Sequence, residues 1–267
     1  MTEIVLENKS LSVNVHEQWN KNRSALKHHI LNDDIANFRD WPIIRATMFV
    51  HDARWTVYEL RDLMTDEQWE SRWKPFLKDD VFVKPSSLYP YKRDLATTGN
   101  SIHHLYHIYS WEKFTSKKIN KMDVIFEVGA GYGNTARIIH NMGFGGKYII
   151  VDLPEFCSLQ KLYLKSCNVD IGNIEWYNSV DDVPQKEFDL FISEWSLSEM
   201  PENERRKYMT LKSKNFLIAY GAFLELDNGT FFNDLKKSND SVNWINYENP
   251  YIKGSHYMLG NTLEHKS

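Results

Sequence analysis

The densest chemical signal in the sequence is the run Phe126-Glu127-Val128-Gly129-Ala130-Gly131-Tyr132-Gly133-Asn134, in which three alternate positions are glycine behind a carboxylate. Glycine lets a backbone turn sharply and approach a bound molecule closely. The apolar residues ahead of the turn read as a strand and those after it as a helix, the setting in which nucleotide-like ligands are held. A dinucleotide site asks for Gly-x-Gly-x-x-Gly, which would put its third glycine at 134; Asn134 stands there, and the third glycine is Gly133. Asp152 closes the next apolar run, 25 residues after Glu127, where a carboxylate can accept hydrogen bonds from two ribose hydroxyls.

Glu-x-Gly-x-Gly-x-Gly is the pattern of enzymes that use S-adenosylmethionine (SAM). SAM has no pyrophosphate to seat on a helix N-terminus, but its amino-acid end needs a close backbone approach and a carboxylate for its ammonium group. The expected contacts are Glu127, Gly129, Ala130, Gly131 and Gly133 at the turn, with Asp152 and Leu153 at the ribose. Asn178 and Ser179 follow the third strand beside the adenine, and Glu194 and Trp195 end the fourth along the methionine arm.

Transfer of a methyl group to oxygen is largely positioning, and the acceptor decides what else is needed. A hydroxyl benefits from a base, whereas an anionic phosphoryl oxygen needs Arg or Lys to orient it. Among the ten histidines, His256 is the first candidate base and His104 the second. Tyr257 and Trp195 are candidate substrate contacts, and Lys92 and Arg93 a candidate clamp for an anionic acceptor. His103 and His107 have the i, i+4 spacing of a metal pair without a neighbouring carboxylate signature, so no metal is expected.

These residues need a scaffold. From residue 121 to 267 short apolar runs alternate with helical stretches: DVIFEV, KYIIVDL, IEWYN, FDLFISEW and NFLIAYGAFLEL read as strands, and PENERRKYMTLKS as one helix. This alternation predicts an α/β fold, a Rossmann-like, doubly wound, mostly parallel sheet. Residues 1–120 read as a helical cap: TVYELRDLMTDEQWESRW as a helix ended by Pro75, and SIHHLYHIYSWEKF as a helix capped by Asn100 or Ser101. Residues 228–267 are left unassigned. Six of the nine tryptophans precede residue 120, which reads first as aromatic packing of the cap and second as a stacking surface for sugar or base.

At 267 residues with 42% hydrophobic content the chain can bury a sizeable core. A net charge of −4 argues against a nucleic-acid or anionic-membrane partner. The absence of a long apolar run and of a signal peptide, with only two cysteines, leads us to expect a reduced, cytoplasmic protein. Oligomeric state is left open.

The run FEVGAGYGNTARIIHNMGF, with YIIVDLPEFCSLQKLYLKS, FDLFISEWSLSEMP, ATTGNSIHHLYHIY and KGSHYMLG, resembles the bacterial sugar O-methyltransferases, a branch of the class I SAM-dependent methyltransferases. The resemblance covers roughly residues 85–260. It implies SAM as cofactor, S-adenosylhomocysteine as product, and O-methylation of a nucleotide-linked or phosphorylated sugar in capsule or surface-polysaccharide biosynthesis. The alternatives are methylation of a phosphoramidate or phosphoryl oxygen for a capsule decoration, and a non-catalytic SAM-binding regulator or partner subunit. An NAD-dependent oxidoreductase is disfavoured by Asn134.

Overall fold

Five apolar runs form strands β1 (Val124–Val128), β2 (Lys147–Val151), β3 (Ile174–Tyr177), β4 (Glu187–Glu194) and β5 (Lys212–Gly221), paired in parallel. Their near-continuous hydrophobicity is what a sheet covered on both faces requires. The computed structural model describes residues 15–48, 55–79, 95–221 and 227–262, with side chains from residue 21 onward. The stretch left unassigned by sequence supplies a helix, α9 (Asn228–Lys237), and two further strands, β6 (Val242–Glu248) and β7 (Ser255–Thr262). The sheet order is β3-β2-β1-β4-β5-β7-β6, with β7 antiparallel to both neighbours. This is a Rossmann-like, doubly wound, mostly parallel sheet. Strand order reverses on either side of β1, so ligands are held at the carboxyl ends of β1 and β4.

Side chains alternate along each strand, and this parity decides what the site can contain. Ile125, Tyr148, Ile150, Leu190, Ile192, Leu217, Ala219, Tyr257 and Leu259 join one core. Phe126, Val128, Ile149, Phe191, Phe216, Ile218, Tyr220 and Met258 join the other. Helices α5 (Asn134–Asn141) and α6 (Pro154–Ser166) cover the first face, together with α4 (Gly99–Thr115), which is buried on nearly every side. Helix α9 and the segment around Tyr208 and Leu211 cover the second face. Continuing the parity to the strand ends puts Glu127, Asp152 and Glu194 on the α4 side.

Three local expectations are corrected. The α4 cap is Thr98, not Asn100 or Ser101: its hydroxyl accepts the Ser101 N–H at 3.2 Å, satisfying an N-terminal donor. The predicted helix through Pro75 stops earlier, as α3 (Thr56–Thr65), because the Asp66 carboxylate accepts the Gln68 N–H and folds the chain into a π-turn, Trp69–Trp73, and a 3-10 turn, Lys74–Leu77, that includes Pro75. The run PENERRKYMTLKS is a short helix, Glu202–Arg205, and a 3-10 turn, Arg206–Thr210, since Lys212 and Ser213 already pair with Glu187 and Phe188 in the sheet.

The N-terminal segments are tied down by a buried polar cluster. Arg39, 1% exposed, donates to Asp79 at 2.6 Å and to Tyr163 Oη at 3.1 Å, with its guanidinium 5.3–5.6 Å from the ring centres of Phe38, Tyr132 and Tyr163. Burial alone would raise the Asp79 carboxyl, but Arg39 and Arg137 bring it down to about 2. Trp41, Trp55, Trp73 and Trp111 are buried, which accords with a packing role for the cap tryptophans.

Candidate active site

The glycine turn leaves β1 with Gly129, Gly131 and Gly133 at φ of 71°, 58° and 94°, the left-handed region that glycine enters without strain. At two of these positions a side chain would also collide with neighbouring protein. A side chain at 129 would fall 2.3 Å from Ser196 Cβ, and one at 131 would fall 2.8 Å from the end of the Met48 side chain. Gly129 thus admits the turn after β4, and Gly131 lies under a flexible thioether from the cap.

Glu127, at the end of β1, is 1% exposed and accepts a 2.7 Å hydrogen bond from Tyr148 Oη. Burial and the neighbouring Glu194 carboxylate hold its carboxyl well above the usual range, against the Tyr148 bond. A carboxyl in that condition favours a cationic partner. Asp152, just beyond β2, accepts from Leu153 N–H at 2.7 Å on one oxygen and from Gln160 Nε2 at 2.7 Å on the other. Burial pushes its carboxyl up to about 7, opposed by those donors and by the Gly131 and Ala130 backbone. Gln160, which sequence reasoning missed, also donates to Gly131 O at 2.9 Å and accepts from Trp176 Nε1 at 3.1 Å, so it braces turn and carboxylate together.

The remaining cofactor candidates fall around this edge. Leu153 precedes α6, whose first residue is Pro154. Asn178 donates to Asp152 O at 3.2 Å, and Ser179 caps the turn that follows by accepting Asp181 N–H at 3.2 Å. Trp195 follows β4 at φ 71°, a rare conformation for a bulky residue. Conformations of this kind cluster at active sites and ligand clamps.

Glu194 is the hub. Its Oε1 accepts from His107 Nδ1 at 2.8 Å and its Oε2 from Thr135 Oγ1 at 2.6 Å, while His104 Nε2 lies 3.8 Å from Oε2. His107 Nε2 meets His103 Nε2 at 3.1 Å, and His103 Nδ1 meets the Glu59 carboxylate at 2.9 and 3.0 Å. Glu59 on α3, buried to 0% exposure, had no sequence signal. Arg137 holds Asn134 Oδ1 with two hydrogen bonds, so Asn134 turns its Nδ2 donor toward His104 Nδ1 at 3.2 Å. His104 Nδ1 also lies 2.9 Å from Thr135 Oγ1, so this imidazole sits between α5 and the Glu194 carboxylate. Burial lowers the His104 imidazole to about 4, despite Glu194.

The paired assignment of His256 and His104 is not brought together. His256 has the parity of Met258 and stacks on Tyr220, ring centres 5.2 Å apart, on the face away from α4. Tyr257 points to the α4 face but is fully buried, edge-on to His107 at 5.2 Å. Lys92 and Arg93 lie outside the described residues. Among the described residues no group of three or more His, Cys, Asp or Glu is arranged to hold a metal, and no helix is long and apolar enough to cross a membrane.

No protein-family model and no curated relative matches the sequence. Among solved structures the chain is similar to a SAM-dependent methyltransferase from Aquifex aeolicus, at 14% identity and a TM-score of 0.43 over 58% of this chain and 87% of that one. It is also similar to an rRNA methylase from Streptococcus thermophilus, at 10% identity and a TM-score of 0.42 over 53% and 87%. A third is the fibrillarin pre-rRNA processing protein of Methanococcus jannaschii, at 16% identity and 0.39 over 54% and 68%. Likeness this distant carries neither activity nor substrate to this chain.

Proposed function

We propose that this chain is a SAM-dependent O-methyltransferase whose acceptor is a carbohydrate, a nucleotide-linked or phosphorylated sugar of surface-polysaccharide synthesis. One observation carries the cofactor reading: Glu127, Asp152 and Glu194 close three adjacent strands on one face, beside a turn of three left-handed glycines. The donor set fits the ligand. Two crowded carboxylates, Glu127 and Glu194, suit a molecule bearing an ammonium and a sulfonium group, and Asp152 beside the glycine turn offers ribose hydroxyls an anionic acceptor. Bound there, SAM supplies an activated methyl group. Glu127 would hold its ammonium end, Asp152 braced by Gln160 its ribose, and Asn178 and Ser179 would border its adenine. Trp195 and α4 would close the cavity to water, which strengthens every charge interaction inside it. The sugar assignment rests on the sequence resemblance.

The test is production of S-adenosylhomocysteine from SAM by the full chain, with a panel of nucleotide sugars, sugar phosphates and phosphoramidates. Turnover on a sugar hydroxyl is expected. SAM binding without turnover on any acceptor would favour a regulatory role, and failure to bind SAM would refute the reading.

A further inference from the structure

The links Glu59–His103, His103–His107 and His107–Glu194 join four side chains from α3, α4 and β4 through nitrogen–oxygen and nitrogen–nitrogen distances of 2.8–3.1 Å. Each link is a hydrogen bond only if one proton lies in it. Three links therefore require three protons, whereas two neutral imidazoles and two carboxylates carry two between them. Without the third, one of the three links would set two lone pairs against each other at 2.8–3.1 Å in a site where His103 and His107 are each 1% exposed, an arrangement that burial makes strongly unfavourable.

We infer that Glu59, His103, His107 and Glu194 form one array holding a shared extra proton, which orients Glu194 as the base for a neutral hydroxyl acceptor rather than an anionic oxygen. The inference rests on the methyltransferase reading and names the acceptor class for that site. Burial, with His103 beside it, keeps the His107 imidazole well below its usual range, against Glu59, which disfavours a second full proton on His107. His107 then donates Nδ1–H to Glu194, whose two oxygens each keep a lone pair. The groups facing the array are consistent with this. Asn249, from the β6–β7 turn, lies 3.4 Å from both Glu59 Oε1 and Tyr257 Oη. Thr135 of α5 donates to Glu194, the His104 imidazole of α4 lies 3.8 Å from it, and burial beside Glu194 holds the Glu127 carboxyl of β1 well above its usual range. The Glu194 carboxylate at the reaction centre repels a phosphoryl oxygen but suits a hydroxyl. As the hydroxyl oxygen bonds to the methyl carbon, the methyl–sulfur bond breaks, sulfur keeps the electron pair, and the hydroxyl proton passes to Glu194. Glu59, His103 and His107 are positioning residues.

Histidine-selective 15N labelling of the full chain tests the array without any acceptor. Between about pH 6 and about pH 9, spanning the ordinary imidazole range, a proton coupled to the Nε2 atoms of both His103 and His107 is expected. In Glu59→Gln, an isosteric change that removes one charge, that resonance should disappear with rising pH at a value about 1 to 3 lower than in the wild type. Two ordinary Nδ1–H tautomers with no shared signal would overturn the inference. So would turnover confined to anionic phosphoryl acceptors. Calorimetric titration with SAM on the same sample separates the two readings: a shared proton with no SAM binding sinks the methyltransferase reading and the base role with it, whereas SAM binding without the shared proton sinks the array alone.

Discussion

Asp152→Asn should weaken cofactor affinity while leaving unliganded stability close to that of the wild type. The Asp152 carboxyl is raised from 3.8 to about 7, chiefly by burial. A carboxyl raised by folding contributes stability that is full below its unfolded value and is lost as pH rises through its folded value. Near pH 8 the unliganded wild type therefore carries a charge it would shed. Complete burial would make that shift worth ~4 kcal/mol, and partial exposure brings it to ~1–2 kcal/mol. Asparagine omits the charge but sets its Nδ2 donor against either Leu153 N–H or Gln160 Nε2, which offsets that gain, so the unliganded variant should melt within a few degrees of the wild type. Ribose hydroxyls, however, donate best to the anion. With a carboxyl at about 7, roughly nine-tenths is ionised at pH 8 and roughly one-tenth at pH 6, so the SAM Kd should weaken by about tenfold over that interval. Glu127, raised in the same direction, steepens the trend. Isothermal titration with SAM and S-adenosylhomocysteine across this range, beside a thermal melt, reads both effects. A flat Kd in the wild type, or undiminished affinity in Asp152→Asn, would refute the placement of the ribose.

Two further substitutions probe the scaffold. His256→Ala should leave SAM affinity and turnover near wild type and lower stability by ~0.5–1.5 kcal/mol through loss of its stack on Tyr220; collapse of turnover at unchanged stability would return His256 to the active site. Arg39→Met should lower the urea unfolding free energy by ~3–5 kcal/mol, because it strands the buried Asp79 carboxylate, and Arg39→Lys should restore little of it, lacking the planar group that lies among three rings. A loss below ~1 kcal/mol would show that Arg137 alone satisfies Asp79.

The sequence by itself determined the parts whose signal is local. A strand, a glycine turn and a helix are consecutive, and Asp152 ends the next strand, so apolar runs and glycine spacing suffice to mark the turn and the strand-end carboxylates. Helix α4 was legible as a helix, but its burial on almost all sides blurs the one-sided pattern that would show what each face meets. Only the tertiary structure decided the partners. Glu59 lies 44 residues from His103, and His107 lies 87 from Glu194; no spacing rule connects groups brought together by packing α3 on α4 and α4 on the sheet. Strand parity, invisible until β7 pairs with β5, separates His256 from Tyr257 and sends the favoured base to the far face. Hydrogen-bonding chemistry can be read residue by residue, but whether two such groups meet is settled by the burial of the apolar surface around them.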